Sequence, residues 1–173
     1  INYASEFSAT DANNSGSPLS DLYNEMVKSY EELKNFKVGL VIGKRSGQTA
    51  PEVTRAEGYY SGTTALLLKH HLISVENLWA GKAALSDSTY GFKKYLDTKN
   101  GGPQLIQETT QGFERMHTQI NQLQGIRVES SIDSQNTAWN TLYEETLKFT
   151  RFIKSEMSAV LGLEITYSSG DGD

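Results

Sequence analysis

Four stretches of this chain space their apolar residues three and four apart, and that period constrains the fold more than any other feature. Leu19, Leu22, Met26, Tyr30 and Leu33 make the first stripe, and Leu68, Leu72, Val75 and Trp79 the second. Leu105, Thr109, Phe113, Met116, Ile120 and Leu123 make the third, and Trp139, Leu142, Thr146, Phe149, Ile153 and Met157 the fourth. Side chains at this spacing return to one side of an α-helix. Each stripe is wider than a coiled-coil seam and must be covered by other helices. The expectation is all-α: an up-and-down helical bundle of about four long helices. Period-2 alternation is scarce, and LEITY, residues 163–167, is the one stretch that reads as a strand.

The ends of these helices carry their own signals. Ser17 reads as an N-cap with Pro18 at the first helical position. That helix runs to about Lys37, and a continuation to Ile42 is open. Ser61 or Thr63 is placed to cap the second helix, and Gly81 stops it. A short helix is expected over Tyr90–Thr98, followed by a turn at KNGGP. GIRVESSIDS, residues 125–134, reads as a connection with room for a short extended piece, and Gly162 ends the last helix. Residues 1–173 are expected to form a single helical domain, with 1–17 a polar leader and 163–173 a loose tail.

The 173 residues include no cysteine, which removes disulfides, thiolate metal sites and cysteine nucleophiles from consideration. The net charge of −5 argues against a nucleic-acid partner, which selects a basic face. No apolar run reaches the ~18 residues of a transmembrane segment. The chain begins at Ile1 and reads as a processed product or a fragment.

KHHLISVENLWAG, residues 69–81, holds two histidines and a glutamate. His71 and Glu76 stand five apart, about 140° around a helix, and His70 and Glu76 differ by about 120° the other way. Neither pair has the three- or four-residue spacing of a helical metal motif, so this helix alone builds no site. Either one histidine is hydrogen-bonded and partly buried while the other is solvated, or one acts as a ligand with residues from elsewhere. His117 stands alone beside Met116, at the flank of the third stripe. There is no nucleophile elbow, phosphate-binding loop, HExxH or dinucleotide fingerprint, and no catalytic residue is assigned.

KVGLVIGKRSGQTAPEVTRAEGYYSGTTALLLKHHLISVENLWAG, residues 37–81, resembles the central segment of imelysin-like proteins. That segment has a Gly-rich connection, an E-x-x-Y-S-G element and a helix ending V-E-N-x-x-x-G. SEMSAVLGLEITYSSGDGD, residues 155–173, is similar to the end of the same family. The resemblance implies an all-helical protein of two related bundles, in the bacterial cell envelope as a periplasmic protein or outer-membrane lipoprotein. It implies a role in iron uptake, and a founding member described as a metallopeptidase. The family hallmark, G-x-H-x-x-E, lies in the N-terminal bundle and is absent from this chain, which resembles the C-terminal half.

On the hallmark register Glu76 matches the glutamate, Ile73 takes the histidine position and His71 the glycine position. Glu57, Tyr60 and Ser61 match the E-x-x-Y-S element. The resemblance therefore makes Glu57, Ser61 and Glu76 the candidate metal residues, for iron or zinc held in the complete protein with an N-terminal bundle as partner. The structural alternative is that Glu57 and Ser61 cap the next helix and pin the loop. Lys44 and Arg45 are either solvated or contacts for an anion. Two further functions stay open: half of a metallopeptidase, or a helical interaction module without chemistry.

Overall fold

A computed structural model describes residues 2–9, 13–82, 90–134 and 136–166. Its helices are α1 (Tyr3–Ala9), α2 (Pro18–Glu32), α3 (Thr64–Ala80), α4 (Phe92–Asp97), α5 (Gly102–Gln122), α6 (Val128–Ser134), α7 (Asn136–Arg151) and α8 (Met157–Leu161). Two π-helical segments extend this set. Leu33–Gly39 prolongs α2, and Phe152–Glu156 joins α7 to α8. Among the described residues there is no strand, so the fold is all-α as the stripes predict.

Cross-helix contacts fix the directions. Tyr30 donates its hydroxyl to the Thr146 carbonyl at 2.5 Å, and Tyr23 donates to the Ile153 carbonyl. One heptad up α2 thus matches one heptad down α7 and its extension. Arg115 meets Glu145 while Gly112 faces Phe149, so α5 and α7 are antiparallel. Lys69 meets Asn121 while Glu76 meets His117, so α3 and α5 are antiparallel too. With α2 against α3 and α7 against the end of α2, the four long helices close an up-and-down ring.

The stripes are what this ring buries. Every residue of the third and fourth stripes is buried, with Met26, Tyr30 and Leu33 from the first and all four of the second. Phe149 sits at the centre, its ring centroid 4.6 Å from that of Phe113 and 5.1 Å from that of Tyr30. Gly112 lets α5 approach it: a Cβ there would lie 2.5 Å from the Phe149 ring. Leu19 and Leu22 are only partly buried.

Several ends form as expected. The Ser17 hydroxyl accepts from the Ser20 amide with Pro18 opening α2, and Gly81 closes α3 in the left-handed region at φ 74°. Its missing Cβ would fall 2.2 Å from the Tyr90 backbone, so chain reversal here requires glycine. Neither Ser61 nor Thr63 caps α3 through its side chain; Thr63 is the N-cap position by backbone alone.

Three segments differ from the sequence reading. The connection GIRVESSIDS carries a helix, α6. Val128 is buried, and Ser131 accepts a hydrogen bond from the Trp139 indole at 2.9 Å, which holds the turn against α7. LEITY is irregular over its described residues 163–166, because a side chain takes the place of a neighbouring strand. Buried Asn24 donates to the Glu164 carbonyl at 2.9 Å and accepts from the Thr166 amide at 2.8 Å. The leader contains α1, although residues 10–12 lie outside the described residues, as does the tail from 167.

Candidate functional site

The candidate residues fall on two sides of α3, as the wheel angles require. On one side, Glu76 meets His117 of α5, with Oε2 and Nε2 2.8 Å apart. The contact spans 41 residues of sequence, and no local period predicts it. The hydrogen bond from His117 holds the Glu76 carboxyl below its usual range, against partial burial, and Lys82 and Lys93 add to the effect. Glu76 is thus an ionised carboxylate joined to an imidazole across a helix seam.

On the other side, His71 Nε2 lies 2.9 Å from the Ser29 hydroxyl of α2. Its Nδ1 is buried without a hydrogen-bond partner. A proton on Nε2 suits this arrangement, since Ser29 then accepts and Nδ1 presents only a lone pair. Burial, and next the charge of Lys37, lower the pKa of His71, while Glu32 and Glu57 act in the opposite sense. His70 is exposed, and its carbonyl accepts from Ser74 as part of the helix surface.

His71 makes folding pH-dependent in a stated direction. The unfolded ring gains its proton near pH 6.5, whereas the folded ring gains it lower. Below 6.5 the unfolded chain therefore binds more protons, and stability falls as pH drops toward the folded value. The urea midpoint is expected to fall more between pH 7.5 and 5.5 in the wild-type protein than in His71→Gln. Equal slopes for the two proteins would remove His71 as the cause.

The E-x-x-Y-S element lies in the loop before α3. Glu57 forms an ion pair with Lys37 at 2.5 Å, the carboxylate side being about half exposed. Ser61 donates to the Gly58 carbonyl at 3.1 Å or shares a proton with Thr63 at 2.7 Å, so it pins the loop. Tyr60 is exposed and packs edge-on against Tyr59. Lys44 is exposed, while Arg45 stacks over Phe36 at 4.2 Å. Lys37, Ser29 and His117 are the partners that periodicity did not select, because each belongs to another helix of the ring.

These donors do not fit a metal by themselves. Among the described residues no three His, Cys, Asp or Glu side chains converge. Glu76 and His117 supply two donors where a structural or catalytic transition-metal site uses three or four. Glu57 pairs with Lys37, Ser61 with the Gly58 carbonyl and Thr63, and Glu76 with His117, so each candidate has its own partner.

An antiparallel all-α ring, a polar seam through a V-E-N helix and an E-x-x-Y-S-G loop beside it define the class. Residues 1–148 match the family model for imelysin, peptidase M75, and the chain belongs to the imelysin family. The match takes in the resembling segment 37–81; the second resembling segment, 155–173, lies beyond it. No curated protein and no solved structure matches the chain. No helix among the described residues is long and apolar enough to cross a membrane.

Proposed function

We propose that this chain is the C-terminal half of an imelysin-type protein of the bacterial cell envelope that serves iron uptake, binding its metal or ligand together with an N-terminal bundle. The family match over residues 1–148 carries this reading. The state of the three candidates supports a shared rather than a self-contained site. Glu76 is committed to His117 inside a helix seam. Glu57 is half exposed, and its partner is Lys37 on the π-helical extension of α2. Of the two carboxylates, Glu57 is the more available to a metal held by another bundle.

The test uses the intact gene product in its own host. Deletion of the gene should slow growth under iron limitation, and the protein should fractionate with the envelope. Glu57→Ala should lower iron or zinc affinity of the intact protein by about tenfold or more, as loss of a ligand or its immediate support does. Glu76→Ala should leave that affinity unchanged. Loss of metal binding on Glu76→Ala beside a silent Glu57→Ala would reverse the assignment, and normal iron-limited growth of the deletion strain would refute the role in uptake.

The family's designation as a peptidase favours a second reading, half of a metallopeptidase. Metal-dependent cleavage of a peptide library by the intact protein, abolished by chelation, would select it.

A further inference from the structure

At the Gly81 end of the ring the described residues leave Leu19 and Leu22 of the first stripe partly exposed, and a concavity of about 680 Å³ opens there. Leu19 and Leu22 of α2, Leu78 of α3 and the aromatic rings of Phe92 and Tyr95 on α4 line it, with Phe7 of α1 beside them. Leu19, Leu22, Leu78 and Tyr95 are all partly buried and rest on the core, so the apolar wall is backed by packed side chains. Its volume falls in the roughly 300–1,000 Å³ range of small-molecule pockets.

Among the described residues that line the concavity, the charged ones are both lysines. Lys82 and Lys94 both border the concavity. Lys94 is paired only loosely, 3.6 Å from Asp97, and both groups are about half exposed. Lys82 makes no ion pair among the described residues. Asn77 and Thr98 add uncharged polar groups to the lining. An apolar interior with cations at its edge selects a molecule with an apolar body and an anionic head: the body is removed from water while the head stays near the lysines and the solvent.

We infer that this concavity is a binding site for a small amphiphilic carboxylate, with its alkyl or aryl body between α2, α3 and α4 and its carboxylate at Lys82 and Lys94. The site lies at the opposite end of the bundle from the Glu57 loop and does not depend on the metal reading.

Decanoate is the probe and decanol its uncharged counterpart, titrated into the 173-residue chain by calorimetry and by backbone NMR. Decanoate should bind saturably at one site and shift the amides of Leu22, Leu78 and Phe92 ahead of those near Glu57, a readout that needs no variant. Lys82→Ala combined with Lys94→Ala should weaken decanoate by about three- to tenfold, the range for partly exposed ion pairs, and leave decanol unchanged. Leu22→Trp and Leu78→Trp, each filling the cavity, should abolish both ligands while circular dichroism remains helical. No saturable decanoate binding at millimolar concentration would overturn the inference. So would amide shifts centred elsewhere, or an equal loss of decanol and decanoate in the lysine variant.

Discussion

Glu31→Ala is expected to lower the unfolding free energy by about 3–5 kcal/mol, the usual cost of removing one partner from a buried ion pair. Glu31 and Lys34 are 4% and 8% exposed and lie 2.9 Å apart, within one turn where α2 becomes π-helical. Asn35 donates to the same carboxylate oxygen at 3.2 Å. The other oxygen has no hydrogen-bond partner, and Lys154, from the second π-helical segment, stands 3.8 Å from it. Alanine at 31 leaves the Lys34 ammonium in low dielectric with nothing to replace the carboxylate. Replacing the pair together, as Glu31→Leu with Lys34→Met, should recover most of the loss, because an apolar pair of similar volume needs no charge compensation. Chemical denaturation of the three proteins decides this. A small loss in the single variant, or no recovery in the double, would show that solvent already screens the Lys34 charge.

Gly112→Val should cost about 3 kcal/mol, at the upper end of the range for overpacking. The added carbon would meet the Phe149 ring at 2.5 Å. That ring cannot withdraw cheaply, since Tyr30, Phe113 and Phe152 surround it. The loss should appear even though glycine is itself worth about 1 kcal/mol less than alanine within a helix. Phe149→Ala alone should cost about 3–5 kcal/mol. In that background Gly112→Val should become nearly neutral, because the space it needs has been vacated, and the double-mutant cycle should report strong coupling. Additive losses would mean that the close approach of α5 and α7 is not set by this contact.

The four stripes were legible because helical period is local. Phe113 and Phe149 announce a buried face through neighbours three and four residues away, and that information survives in any tertiary setting. The same holds for Ser17, Pro18 and Gly81, whose backbone requirements are settled within a few residues. Of the candidate site, the sequence carried the negative result on α3. Five- and six-residue spacings separate its histidines from Glu76, and the structure keeps His71 and Glu76 on different seams.

Other features had no local signal. α6 exists because Val128 and Ser131 find α7 to pack against, so a stretch that reads as a connection becomes helical through that burial. LEITY lacks a strand partner and takes its hydrogen bonds from Asn24 instead. What the sequence determined by itself was the four long helices and the face each must bury, since both follow from spacing along the chain. Which helix stands beside which was decided by the closed ring alone. Whether Glu76 meets a metal ligand, a lysine or His117 depends on side chains brought together from 41 residues away, and no periodicity encodes that distance.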